Sequence, residues 1–175
     1  MSDQFRVAVV GLGSMGYGVA ASLHRAGMTT HGFDVAEAQM ARFRAEGGAP
    51  GTLAEVAGSL DAVIVVVLNA AQTEAVLFGE GGVMPGLRPG AVVVSCATVA
   101  PAFARQMAAR AAEHGVLYLD APISGGAAKA ASGQLSVLAS GSPEAFAAAR
   151  PVLDAAAETV FELGDEPGAG SAMKA

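Results

Sequence analysis

The 175-residue chain is short of positive charge, of cysteine and of long hydrophobic runs, and each shortage excludes something. Ten Lys and Arg stand against 16 Asp and Glu, for a net charge of −6. The basic residues are scattered singly, so the basic stripe that binds a polyanion is missing and no nucleic-acid partner is expected. The one cysteine, Cys96, cannot close an internal disulfide, which fits a reducing compartment. The longest unbroken apolar run, Ala62–Leu68, falls far below the ~20 residues that cross a bilayer, so no membrane association is expected. Near the start, Asp3 and the lack of a cleavage-site pattern argue against a secretory signal, which makes the cytoplasm the expected location. The three histidines, His24, His31 and His114, are too dispersed to form a ligand cluster, and no metal is expected.

What the chain has in excess is apolar surface. Hydrophobic residues make up 53% of it, with a mean hydropathy of +0.47. The length suits one domain. Nearly continuous β-branched runs at 6–10, 29–33, 62–68, 91–95, 116–121, 135–140 and 159–163 read as strands buried on both faces. Alanine-rich stretches at 14–26, 36–45, 71–78, 101–113 and 143–156 read as helices between them. Strands alternating with helices predict parallel pairing through right-handed crossovers. Pro101 and Pro143 mark first helical turns, with Thr98 and Ser142 as candidate caps just upstream. Gly27 and Gly115 follow helices and can take the left-handed conformation that ends them. The stretch 79–90, rich in Gly and Pro, reads as a connecting loop.

One cluster carries chemistry. In "RVAVVGLGSMGYGVAASLHRAG", residues 6–27, a buried strand passes through Gly11, Gly13 and Gly16 into a helix. Gly11 permits the sharp turn, Gly13 lets a pyrophosphate approach the backbone, and Gly16 lets the helix pack against the strand. The free amides of the helix N-terminus, around Leu12, Ser14 and Met15, then face the phosphates. Glycines also serve plain turns, but here Asp34 stands at the tip of the next strand, about twenty residues on, as a dinucleotide fingerprint requires. A carboxylate there accepts from ribose hydroxyls and repels a 2′-phosphate, so NAD is expected rather than NADP. Asp34 also suits the helix cap of 36–45, a role compatible with the first. Ligands of such sheets sit outside the carboxyl ends of the strands, which adds Leu68, Asn69, Thr73 and Thr98 to the expected cofactor groove. The fold expected is therefore a Rossmann-type α/β domain: a doubly wound, mostly parallel sheet with helices on both faces.

Four stretches in order, "VGLGSMGYGVAASLHRAG", "SCATVAP", "DAPISGGAAKAASGQLSVLASG" and "GAGSAMKA", resemble the N-terminal domain of β-hydroxyacid dehydrogenases, the family of 3-hydroxyisobutyrate dehydrogenase, tartronate semialdehyde reductase and L-threonate dehydrogenase. The resemblance runs from about residue 6 to the end, and "VLNAAQTEAVLFG" at 67–79 is similar to the L-threonate branch. Gly18 and Val19 depart from it, standing where many relatives carry bulkier residues, as does Ala97, where a serine is common.

The resemblance implies NAD-dependent oxidation of a small 3-hydroxy acid or sugar acid. It assigns the substrate carboxylate to Ser124, Gly125 and Gly126, where the residues alone read first as a tight turn capping a short helix at 127–132. It assigns catalysis to Lys174, placed to take the proton of the substrate hydroxyl. Residues 1–164 are then the dinucleotide-binding domain and 165–175 the start of a helix leading into an all-helical second domain, with homo-oligomers, dimers or tetramers, expected of the whole protein. L-threonate is the expected substrate; the alternatives are a 3-hydroxyisobutyrate or tartronate semialdehyde reductase or dehydrogenase, or a non-catalytic NAD(H)-sensing or interaction module, against which the lysine speaks.

Overall fold

The structure, a computed structural model, describes residues 4–174. Five parallel strands form the main sheet: Arg6–Val10 (β1), Thr29–Phe33 (β2), Ala62–Val65 (β3), Val92–Ser95 (β4) and Leu117–Asp120 (β5), in the order β2-β1-β3-β4-β5. The chain moves outward from β1 to β2, then returns to lay β3 on the other side of β1. That reversal opens a crevice at the carboxyl ends of β1 and β3, where open α/β sheets take their ligands.

Every residue of β3 and β4 is buried, as the continuous apolar runs predict. Alternate side chains of β1 serve two cores. Val7 and Val9 pack with Val19 and Leu23 of helix α1 (Ser14–Arg25) and with Val152 and Leu153 of α7 (Pro143–Ala156). Ala8 and Val10 face Leu77 of α4 (Ala70–Phe78) and Met107 and Ala111 of α5 (Pro101–Ala112). Helices thus cover both faces of the sheet, the arrangement that an all-parallel sheet requires.

The remaining strands depart from a single sheet. Ile123–Ser124 (β6), Leu135–Ala139 (β7) and Ala157–Glu162 (β8) form a separate three-stranded sheet in which β6 and β7 are antiparallel. An isolated bridge, Asp120 to Ser140, joins it to the main sheet. Pro122, which has no N–H to donate, separates β5 from β6. Between β6 and β7 lies α6 (Gly126–Ser132).

Several short elements lay outside the sequence reading. Helix α2 (Glu37–Ala45) is followed by a single turn, α3 (Leu53–Val56), held by a capping box: Thr52 Oγ1 accepts from the Glu55 N–H and the Glu55 carboxylate from the Thr52 N–H, each at 3.2 Å. The signal, Thr-x-x-Glu before an apolar residue, was present in the sequence. A 3-10 turn, Met84–Gly86, buries Met84 within the loop expected at 79–90.

Boundaries follow local chemistry. Ser142 caps α7, its hydroxyl accepting from the Ala145 N–H at 3.1 Å. Gly27 and Gly115 take φ of 96° and 72°, ending α1 and α5. Thr98 is not the cap of α5: Ala100 occupies that position, and Pro101 at the first helical position has no N–H to be capped. The last described element is α8 (Ala169–Lys174).

Candidate active site

All five parallel strands end on one edge, and the residues that follow them form the site. After β1, Gly11 turns with φ 107°; a Cβ there would stand 2.0 Å from the Val66 carbonyl oxygen. A Cβ on Gly16 would stand 1.8 Å from the Gly11 carbonyl oxygen. Glycine is therefore obligatory at both positions for packing alone. Gly13 is different, because among the described residues nothing beyond its own chain neighbours lies within 4 Å of where its Cβ would be. The backbone there faces an open cradle.

The first bond of α1 runs from the Tyr17 N–H to the Gly13 carbonyl at 3.0 Å. The amides of Ser14, Met15 and Gly16 precede it and have no partner within the helix. They supply the donors and the positive end of the helix dipole that a pyrophosphate needs.

Asp34 ties this loop to β2. Its Oδ2 accepts from the Leu12 N–H at 2.6 Å and its Oδ1 from the Ala36 N–H at 2.8 Å. Helix α2 is capped at Ala36 without a side chain, so Asp34 braces the glycine loop and the turn before α2. Each oxygen keeps a lone pair for a ribose hydroxyl. Gln39 completes the brace, its Nε2 donating to the Leu12 carbonyl at 2.7 Å. Leu12 is fully buried, and contrary to expectation its amide is not free for a phosphate: Asp34 takes its N–H and Gln39 its carbonyl, so Leu12 belongs to the brace. Nothing in the sequence marked Gln39, which reads as an ordinary polar residue on a helix.

Two large apolar side chains stand out in solvent at this edge, Val35 and Leu68. Val35 follows Asp34, and Leu68 precedes Asn69, which caps α4 by accepting from the Gln72 N–H at 2.9 Å. Gln72 in turn accepts from the Leu68 N–H at 2.7 Å, holding the backbone of the exposed leucine. Thr73 lies beneath this loop, fully buried, its hydroxyl donating to the Asn69 carbonyl at 2.9 Å. Thr98 is exposed after β4. Cradle, free amides, tip carboxylate and exposed apolar groups fit a dinucleotide.

After β5 the chain enters Ser124, half-buried on β6, then Gly125 and Gly126, both left-handed with φ of 138° and 79°. The turn and the short helix after it are both present. Two consecutive positive-φ glycines bend the chain so that neighbouring amides can converge on an anion. Gly18 explains how α6 lies so near α1: a Cβ there would come within 2.6 Å of the Ala131 amide nitrogen. Ser22, also on α1, donates to the Ala130 carbonyl at 2.7 Å. Lys129 is exposed on α6 and Lys174 on the last described turn of α8.

Cys96 lies on the same edge, half-buried. Burial, with a contribution from the Asp120 charge, pushes its thiol up to about 12, so it is protonated and unreactive at neutral pH. Among the described residues no group of three or more His, Cys, Asp or Glu is placed to hold a metal.

Residues 6–164 match the family described as the NAD binding domain of 6-phosphogluconate dehydrogenase. The chain is 48% identical over 169 residues to an L-threonate dehydrogenase of Cupriavidus necator, a match covering 96% of this chain and 57% of that protein. A crystal structure of a 3-hydroxyisobutyrate dehydrogenase from Salmonella typhimurium superposes with a TM-score of 0.93 at 46% identity, over 98% of this chain and 60% of that one. An imine reductase variant from Myxococcus stipitatus in complex with NAD+ aligns at a TM-score of 0.86 with 25% identity, over 99% of this chain and 58% of that one. The chain therefore spans little more than half the length of these relatives. Its glycine cradle, its tip carboxylate and these matches place it in one family: the chain is an NAD-binding domain of the 3-hydroxyisobutyrate dehydrogenase-like dehydrogenases.

Proposed function

We propose that the whole protein oxidises a small 3-hydroxy acid or sugar acid, of which L-threonate is the best candidate, using NAD. The observation that carries this reading is the shared edge of the sheet, where the Gly13 cradle, the Asp34 carboxylate and the Ser124-Gly125-Gly126 turn all follow carboxyl ends of strands.

Bound NAD supplies the hydride acceptor. The amides of Ser14, Met15 and Gly16 hold its pyrophosphate, and Asp34 holds the adenosine ribose while disfavouring a 2′-phosphate. Val35 after Asp34, where a guanidinium would welcome that phosphate, adds to the preference for NAD over NADP. Ser124 and the Gly125 and Gly126 amides hold the substrate carboxylate, which fixes the hydroxyl-bearing carbon. Lys174 accepts the hydroxyl proton as the alkoxide develops and returns it in the reverse reaction.

The names of the relatives support a substrate of this class. L-threonate is favoured by the Cupriavidus sequence and 3-hydroxyisobutyrate by the Salmonella structure. The chain beyond Gly164 reads as the approach to a second, helical domain that completes the substrate pocket and pairs subunits into homo-oligomers. The protein is read as cytoplasmic; among the described residues no helix is long and apolar enough to cross a membrane.

The test is turnover of L-threonate and 3-hydroxyisobutyrate with NAD by the whole protein, beside Lys174→Ala. The reading expects kcat to fall by ~10³-fold or more in the variant, with the affinity for NADH within about twofold of wild type. Undiminished turnover in Lys174→Ala removes the lysine from the mechanism, and equal or greater efficiency with NADP reverses the cofactor assignment.

A further inference from the structure

The reaction proposed above uses Lys174 and the loop after β5, yet those groups belong to separate elements. Between them lies a buried polar cluster that the cofactor site does not use. Asp120, the last residue of β5, is only 1% exposed. Its Oδ2 accepts from the Gly168 N–H at 3.0 Å and the Ser171 N–H at 2.9 Å, and its Oδ1 accepts from the Ser171 hydroxyl at 2.7 Å. The Ser140 hydroxyl, 3.5 Å from Oδ2, itself accepts from the Gly170 N–H at 3.0 Å. The backbones of Asp120 and Ser140 are joined by a reciprocal pair of hydrogen bonds, at 2.9 and 2.8 Å. The Ser171 hydroxyl also accepts from the Val99 N–H at 3.3 Å.

Three stretches that are far apart in sequence meet here. Val99 belongs to "SCATVAP", Asp120 opens "DAPISGG", and Gly168, Gly170 and Ser171 belong to "GAGSAMK". The approach is close enough to require glycine, since a Cβ on Gly170 would stand 2.2 Å from the Leu138 carbonyl oxygen and 2.9 Å from that of Asp120.

A carboxylate taken out of water without a cationic partner is costly unless its lone pairs are filled. No Lys or Arg pairs with Asp120 among the described residues, so N–H and O–H donors of α8 and the segment before it do that work. An apolar contact would dock the helix with equal strength but leave it free to slide; a network of directional bonds accepts one position.

We propose that Asp120 is a positioning residue, the anchor that fixes the lysine helix in register with the substrate-carboxylate loop that follows β5. Lys174 lies three residues beyond Ser171, about 4.5 Å along the helix axis, so the anchored turn carries the lysine directly. In the other direction the chain reaches Ser124 four residues after Asp120. One carboxylate thereby ties the proton-transfer group to the loop that orients the substrate. The consequence for turnover rests on the dehydrogenase reading; the anchor itself does not.

The experiment compares wild type with Asp120→Asn and Ser171→Ala in the whole protein, reading amide hydrogen exchange along 168–174, steady-state constants with L-threonate and NAD, and NADH affinity. The side-chain amide that Asp120→Asn introduces would point a donor at donors, whereas Ser171→Ala deletes one hydroxyl and serves if the first variant does not fold. The expected result is exchange at 168–174 faster by ~100-fold in Asp120→Asn and ~10-fold in Ser171→Ala, while exchange in β1 and α1 and the NADH affinity are unchanged. In Asp120→Asn kcat falls by ~30-fold or more with KM for NAD within about twofold, the split expected when only the reacting geometry is disturbed. Unchanged exchange at 168–174, or exchange rising equally throughout the fold, overturns the anchor. A loosened α8 with unchanged kcat overturns its positioning role. If wild type turns over no hydroxy acid, the dehydrogenase reading fails, and the exchange data still decide the anchor.

Discussion

The three glycines of the nucleotide loop share a motif but not a physical role, and substitution separates them. A Cβ on Gly16 would penetrate the Gly11 carbonyl, so Gly16→Ala is expected to cost ~2–4 kcal/mol of stability, seen in chemical denaturation. Gly13→Ala meets nothing and should leave the unfolding midpoint nearly unchanged while weakening NADH binding by ~10-fold or more, read by fluorescence titration. A Gly13→Ala protein that unfolds early and binds normally would contradict the open cradle. Cys96 gives a second test at this scale. With its thiol pushed up to about 12, the native protein at about pH 8 holds only ~10⁻⁴ of it as thiolate. Native protein is expected to react with iodoacetamide at least ~100-fold more slowly than denatured protein; equal rates would show that the thiol is neither buried nor shifted.

Elements were legible in the sequence wherever one local cause dominated. Runs such as Ala62–Val65 and Val92–Ser95 have no polar face, so burial on both sides and parallel pairing followed directly. Ser142-Pro143 fixed the start of α7, and Gly27 and Gly115 fixed helix ends. What escaped depended on partners distant in the chain. The separate sheet of β6, β7 and β8 begins just past Pro122, and no local pattern says which strands pair there. In the site, the glycine loop and Asp34 were readable from spacing, whereas Gln39 and the Ser140–Asp120–Ser171 cluster exist only once the chain is folded. Gly18, marked in the sequence only as a departure, is where α6 touches α1. Gly18→Leu is therefore expected to push α6 away, destabilising the protein by ~1–3 kcal/mol and raising KM for the hydroxy acid more than KM for NAD. Equal changes in both constants would show that the helix contact does not set the substrate loop.

For the whole molecule, stability and binding depend on a sheet whose buried edge strand carries His31. Burial lowers the pKa of its imidazole, which stacks on Phe33; the nearby backbone of Pro50 and Ala49 opposes that shift without closing a hydrogen bond, and neither ring nitrogen has a partner among the described residues. The folded state therefore keeps the ring neutral while the unfolded chain takes a proton near the ordinary value of 6.5. The stability this gives is complete above that value and is lost as pH falls through it. The thermal midpoint should decline between about pH 7 and about pH 5, and His31→Gln should flatten that decline; an unaltered slope would place the acid sensitivity elsewhere. The central claim, that the edge formed by Gly13 and Asp34 is an NAD site, is tested most directly by calorimetric titration of NADH and NADPH into wild type and Asp34→Ala. Saturable NADH binding at or below millimolar cofactor, at least ~10-fold tighter than NADPH, with most of that preference lost in Asp34→Ala, is the predicted result. No NADH binding, or a preference that survives the loss of the Asp34 carboxylate, would contradict it.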